Sequence, residues 1–292
     1  MNEKSCRLGG NYAYVDLNEI AGKLSVHDQK VFDIIVSGGI SQESIAIKRI
    51  QEEIIPFEVR YLSNATAWRD IKYLVDLNLF AVTKISTGIR NINILRLADI
   101  GAMVYMVIFK RNAGKFEHER LAKDHDNAAH GYMILDTKSI LEEKGIYYSV
   151  SMDRSRNTIP MHDGHQCIPD VMGLRKGAMD LYEVECGNHH QADFDKKLNK
   201  LTRVTKCINI VGPNRKVVTN ILKKQVESWI QSVGRINLLR SNISVRLTTI
   251  TDLKNDKWTY IYDMTMDEPI CCFGKKKGGV RDYEQFVSPF RQ

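Results

Sequence analysis

The sequence predicts a two-domain chain of the α/β (α+β) class. Its 292 residues exceed the roughly 100–200 residues of one domain. Up to about residue 110 the pattern runs helix, helix, helix, strand, strand. Beyond it, strand-like runs alternate with helical ones, as in a mixed sheet covered by helices. With 43% apolar and 26% charged residues, the composition is that of an ordinary globular chain. A disordered tail, a collagen-like chain and a disulfide-stapled miniprotein are excluded. The expected division is 1–110 and 111–292, with RNAGK (111–115) as the boundary.

Residues 1–26 are weakly patterned and read as an N-terminal arm. From His27, Val31, Ile34 and Ile35 recur at helical spacing until Gly38-Gly39 ends the turn. Ser41 suits the N-cap of a second helix to about Ile50, and Pro56 breaks the run. Ser63 suits the cap of a third helix over 64–77. On that helix Ala67, Trp68, Ile71, Leu74 and Val75 share one face, and Thr66, Arg69 and Tyr73 the other. LFAVTKI and NINILRL read as strands joined at Gly88. Three helices and a hairpin are the order of a winged helix-turn-helix. In that reading Thr66, Arg69 and Tyr73 enter a major groove, while Lys84, Arg90 and Arg96 meet phosphates. The same fold serves protein contacts elsewhere.

Residues 98–110 continue as a helix. Next come a helix over 117–130, the run YMILD (132–136), a short helix to Lys144, and GIYYSVSM. Strands CIPDVMGL (167–174) and DLYEVECG (180–187) flank the turn RKGAM. A helix over 191–204, the strand CINIVG (207–212), a helix over 216–230 and the strands SVRLTTI and WTYIYDM complete the order.

Charge and cysteines bound the partners. The net charge is +7 and the pI about 9.0. The window 192–240 carries 11 basic and three acidic side chains, a pattern suited to a phosphate backbone, or to solvated helix faces. The six cysteines form no CxxC pair, so free thiols in a reducing cytoplasm are expected rather than a zinc finger. No apolar leader opens the chain, and IGAMVYMVIF (100–109) is about half a bilayer span. A soluble, cytoplasmic protein with no membrane segment is expected.

The chemistry concentrates in CIPDVMGLRKGAMDLYEVECGNHHQADFDKKLNKL. Asp170 follows Pro169 in one strand, and Glu183 and Glu185 lie on one face of the next while Val184 points to the core. Pairing of these strands brings three carboxylates together. Carboxylates so placed repel unless a cation lies between them, and a hard divalent ion, Mg²⁺ or Mn²⁺, is the natural choice. At about 100° per residue, Lys197 falls on the side of Phe194, Leu198 and Leu201, whereas Lys196 and Lys200 fall farther out. Lys197 is therefore placed to reach the carboxylates and to orient a water or stabilise transition-state charge.

Pro-Asp, then Glu-x-Glu after a short hairpin, then a lysine on the next helix resembles the PD-(D/E)XK restriction-endonuclease-like superfamily. EVECGNHHQADFDKKL more closely resembles the replication-relaxation family, the mobilisation-C-type relaxases of plasmids and integrative elements. The resemblance implies a winged helix followed by a restriction-endonuclease-like mixed-sheet nuclease domain. It implies a metal-dependent endonuclease that nicks one strand at a transfer origin without a tyrosine nucleophile. Asp170, Glu183 and Glu185 would hold Mg²⁺ or Mn²⁺, and Lys197 would complete the catalytic set. The departure is Glu185, where the superfamily has lysine. The partners implied are DNA, duplex and single-stranded near the nick, and other mobilisation or conjugation proteins. Lys200 and Arg203 would join the DNA surface.

His125, on a helix that the resemblance places near the site, and His189 and His190, at the exit of the second strand, are candidates for a supporting role. His162 and His165 flank the same strands. Two other readings stay open: a non-catalytic replication or transcription regulator that binds DNA, and a restriction or transposition endonuclease of the same fold.

Overall fold

The computed structural model describes residues 16–54, 63–125, 127–266 and 268–271. It is a mixed α/β protein with two compact units. The first comprises residues up to 85 together with 92–120, and the second comprises 86–91 with 121 onward.

In the first unit, α1 (Leu17–Lys23) starts on Asp16, whose carboxylate accepts the Asn18 and Glu19 amides. Most of the expected arm thus lies outside the described residues, and 17–23 is helical. A capping box between Ser25 and Asp28 opens α2 (Val26–Ser37), which buries Val31, Phe32, Ile34 and Ile35. Next is α3 (Glu43–Ile54). Ser41 does not cap it. Its hydroxyl is fully buried and bonded to His118, accepting the backbone N–H at 2.9 Å and meeting Nδ1 at 2.8 Å. Pro56 lies outside the described residues.

Ser63 caps α4 (Asn64–Asp76) as expected. Ala67, Ile71 and Leu74 are buried, but Trp68 is exposed, with Lys72 Nζ 5.5 Å from its ring centre. Strands β1 (Phe80–Ser86) and β2 (Asn91–Leu97) pair, and Gly88 between them has φ +89°. The apolar run 100–109 lies in α5 (Asp99–Phe109), whose Tyr105 packs edge-on against Phe32. Among the described residues no helix is long and apolar enough to cross a membrane.

After α6 (Glu117–Asp124) comes α7 (Ala128–Glu143). Residues 132–136, which the sequence sets between two helices, form its buried interior: Tyr132, Met133, Ile134 and Asp136 all face inward. Then come β3 (Ser149–Ser151), β4 (Ile159–Pro160) and β5 (Gln166–Cys167), followed by β6 (Val171–Arg175), β7 (Ala178–Val184) and α8 (Gln191–Leu201). Strand β8 (Cys207–Gly212) leads to α9 (Arg215–Val217), which passes through a π-helical turn (Val218–Leu222) into α10 (Lys223–Val233). The last elements among the described residues are α11 (Arg235–Arg240), β9 (Ser244–Thr249), α12 (Ile250–Lys254), β10 (Tyr260–Asp263) and β11 (Ile270–Cys271).

Seven of these strands form one mixed sheet in the order β11-β10-β9-β8-β7-β6-β3. The short hairpin β6–β7 is antiparallel; β7–β8 and β8–β9 are parallel, because each pair is joined through helices. Leu181, Ile208 and Ile210 pack on one face against Phe194, Leu198, Val226 and Trp229. On the other face Tyr182, Val184 and Val211 pack against Met133, Ile134, Ile250 and Leu253. The sheet is therefore covered on both sides, and any charged side chain on its inner faces must find a partner.

A candidate active site

The register of β6 and β7 sets the site. Val171 pairs with Tyr182, so Asp170 and Glu183, the next residues out, stand opposite each other. Asp170 lies just before β6 rather than within it, and Glu185 one residue past β7. The Glu185 amide still donates to Val211 O at 2.9 Å, which prolongs the parallel ladder and keeps Glu185 on the face of Glu183. Val184, between them, is buried on the opposite face, as the alternation requires.

Helix α8 brings Lys197 over this face. Its Nζ lies 2.6 Å from Glu183 Oε2, 2.8 Å from Glu185 Oε1 and 3.6 Å from Asp170 Oδ2. The helix is held in place by apolar packing of Phe194, Leu198 and Leu201 and by Trp229 Nε1, which donates to Asn199 Oδ1 at 2.9 Å. Lys196 pairs instead with Asp193, and Lys200 is exposed, as the helical angles predict.

The electrostatics reflect burial and this single ammonium. Burial favours a neutral Lys197, but the charges of Glu183, Asp170 and Glu185 outweigh it and hold the ammonium well above its ordinary range. Burial also disfavours ionised Asp170. There the Lys197 charge, His130 and the Val184 N–H prevail, and the carboxyl is held below the usual carboxylate range. For Glu183, burial dominates, aided by the charges of Asp170 and Glu185, and its carboxyl is pushed well up.

Two side chains with no marked sequence signal complete the arrangement. His130, on α7, sets Nε2 2.8 Å from Val184 O and Nδ1 3.1 Å from His125 O. Burial opposes a charged ring, but Asp170 and the Val184 and His125 carbonyls favour it and raise the His130 pKa above its ordinary value. The ring lies 3.7 Å from Asp170 Oδ2. Asn157 is fully buried and donates to Ser151 O at 3.1 Å and Pro169 O at 3.2 Å, which fixes the turn ahead of Asp170. Asp170 itself accepts the Val184 amide at 2.9 Å.

The histidines singled out by sequence occupy different places. His125 is buried beside His130, and burial pushes its pKa down; the ring that meets Asp170 is that of His130. His189 Nε2 lies 3.5 Å from Glu185 Oε2. His190 is exposed at the N-cap of α8 and makes no side-chain cap bond. His162 and His165 are exposed in the β4–β5 turn. Tyr147 and Tyr182 bond each other at 2.8 Å, Tyr182 being on the sheet face away from Glu183.

Several expected DNA contacts are engaged within the protein. Arg90 Nη2 lies 2.7 Å from Asp136 Oδ1 on α7, both residues being within the second unit. Arg203 is ion-paired with Asp163. Tyr73 donates its hydroxyl to Lys23 O at 3.1 Å, and the Thr66 hydroxyl meets that of Ser63 at 3.0 Å. Arg69, Lys84 and Arg96 are exposed.

Whether the site suits a divalent ion depends on its donors. Among the described residues no three His, Cys, Asp or Glu side chains stand as a ready metal cage. The donors themselves are hard oxygens. Glu183 Oε2 is buried and ion-paired with Lys197 Nζ at 2.6 Å, and Glu185 Oε2 is buried and faces His189 Nε2 at 3.5 Å. Buried carboxylate oxygens with unused lone pairs fit Mg²⁺ or Mn²⁺ in chemistry. Cys167, Cys186, Cys207 and Cys271 are free thiols. Compared with known proteins, the chain matches no family model and no curated protein at a significant level.

Proposed function

We propose that the second unit is a metal-dependent DNA endonuclease that nicks one strand, as a relaxase of the replication-relaxation type would. One observation carries this reading: Asp170, Glu183 and Glu185, from two adjacent strands, converge on Lys197 Nζ within 3.6 Å. Charges are costly to gather in a covered sheet face, and a cluster of this composition matches what phosphodiester hydrolysis demands. Asp170, Glu183 and Glu185 would hold Mg²⁺ or Mn²⁺. Such an ion, when bound, polarises a phosphoryl oxygen and makes a coordinated water a better nucleophile.

The chain's own groups have definite parts. Lys197 keeps its positive charge throughout the neutral range and can stabilise the extra negative charge of the pentacovalent phosphorus. His130 and the Val184 amide keep Asp170 ionised and aimed. In the first unit, a winged-helix reading gives α4 and the β1–β2 hairpin the duplex. Exposed Arg69, Lys84 and Arg96 support it, together with the pI of about 9.0.

A non-catalytic, DNA-binding regulator is the rival, and one observation favours it: the Lys197 ammonium already bridges the carboxylates as a self-contained ion-pair network. Supercoiled plasmid separates the readings. Wild-type protein with Mg²⁺ or Mn²⁺ should yield open circles, and EDTA should prevent it. Asp170→Ala should slow nicking by about 10³-fold, the several kcal/mol a metal site contributes, while duplex binding stays within about twofold. Linear product would assign a double-strand endonuclease of the same fold. No cleavage with either metal would favour the regulator.

A further inference from the structure

Lys197 Nζ stands where the three carboxylates meet, 2.6 Å from Glu183 Oε2, 2.8 Å from Glu185 Oε1 and 3.6 Å from Asp170 Oδ2. A divalent ion shared by the same three groups has the same place and twice the charge. Mg²⁺ bonds oxygen at about 2.0–2.1 Å, so the ammonium and the ion compete for lone pairs, for space and for charge balance. The glutamates are fixed on a covered sheet face, Glu183 being 2% and Glu185 1% exposed. The lysine is not fixed in this way. Its side chain is 29% exposed and reaches the cluster on a flexible four-carbon stem. It also lines a cavity of about 300 Å³ that Glu183 lines too.

A displaced ammonium needs a second anion within reach of the same stem. Among the residues lining that cavity, the carboxylates are Glu183 and Asp193. Asp193 lies one turn before Lys197 on α8, the i, i+4 spacing at which an acid N-terminal to a lysine pairs favourably. Its partner is Lys196, at 3.4 Å, and both side chains are more than half exposed, so this pair contributes little and is readily shared. We propose that Lys197 is a tethered counterion that closes the metal site, and that Asp193 is the positioning residue that receives its ammonium when a divalent ion takes the carboxylates. The proposal rests on the metal-dependent endonuclease reading and adds to it a built-in competitor for the metal. Once withdrawn, the ammonium faces the cavity instead of the carboxylates and is free to meet the charge that develops on phosphorus.

The test uses the full chain without DNA and Mn²⁺ as probe, with free Mn²⁺ read by electron paramagnetic resonance. Lys197→Met should bind Mn²⁺ about 10-fold or more tightly than wild type, because the competitor is gone. Asp193→Asn should weaken Mn²⁺ binding about threefold in the wild-type background and leave it unchanged in the Lys197→Met background. Asp193→Glu should bind as wild type does. An Asp193 that acted only through its field, or only on the fold, would shift both backgrounds alike. Should Lys197→Met fail to fold, acetylation of wild type by acetic anhydride, read by mass spectrometry, decides. Saturating Mn²⁺ should raise the labelling of Lys197 several-fold and leave that of Lys200 unchanged. Lys197→Met binding no tighter than wild type, equal effects of Asp193→Asn in both backgrounds, or Lys197 labelling unmoved by Mn²⁺ would each overturn the proposal. Nicking of supercoiled plasmid is scored in parallel. The expected binding pattern without nicking leaves the counterion standing and removes the endonuclease reading. Nicking without that pattern does the reverse.

Discussion

The two units hold their charged residues in opposite ways. In the first, Arg69, Lys84 and Arg96 lie in solvent, each placed by its own helix or strand. In the second, Asp170, Glu183, Glu185 and Lys197 are largely withdrawn from solvent and depend on one another. An exposed charge costs little, so its position constrains its role less than a buried one's does. A buried cluster survives only if its geometry is right, so its presence is itself an argument.

Removing the shared cation should break this contrast most strongly. Lys197→Met leaves buried carboxylates uncompensated and should cost about 3–5 kcal/mol, on the order of 10 °C in melting temperature, in EDTA. Mn²⁺ should restore much of that loss in the variant and little in wild type. A melting temperature unaffected by the substitution would show that the cluster is not mutually dependent.

The pH dependence of stability sharpens the comparison within the cluster. The folded Asp170 pKa is depressed, so its contribution is present above the unfolded value of about 3.9 and is lost as pH falls toward the folded one. Asp170→Asn should therefore melt below wild type at pH 7 and converge with it in acid. Glu183 is raised, so its contribution is full below about pH 4.3 and is lost as pH rises through the folded value. Glu183→Gln should gain on wild type with rising pH, by about 1–3 kcal/mol in melts followed from pH 4 to 9. Parallel curves for the two variants would contradict this assignment.

The smallest effects separate two arginines expected to do the same thing. Arg90→Ala strips Asp136, which is 10% exposed, of an ion-pair partner while leaving the Thr87 hydroxyl at 2.8 Å. A cost of about 1–2 kcal/mol is expected. Arg69→Ala should change stability by less than about 0.5 kcal/mol. If α4 faces duplex phosphates, it should also lower the slope of log affinity against log salt by about one.

Sequence pattern is most informative where a residue's partner is near in the chain. Val31, Ile34 and Ile35 mark α2, and Ser63 marks the start of α4. The carboxylates and Lys197 are legible because alternation in a strand and rotation along a helix fix which side chains meet. Run 132–136 reads as a break between two helices because a short apolar stretch has no distinguishing period; it is the buried interior of one helix. Trp68 shares a helical face with buried neighbours, yet no side chain covers its ring fully, and it is 44% exposed. His130 leaves no trace in the sequence because its ring answers to carbonyls of Val184 and His125, and a carbonyl is the same in every residue. The Arg203–Asp163 ion pair has no signal in the sequence because its two residues lie 40 positions apart.

The β6–β7–α8 segment is continuous in the chain. Asp170, Glu183, Glu185 and Lys197 all belong to one uninterrupted hairpin and the helix after it. Few distant encounters are needed to assemble them, so loop-closure entropy is small and this piece is suited to organise early along the folding route. Strand β8 pairs in parallel along the free edge of β7 and so covers the hairpin that carries the cluster.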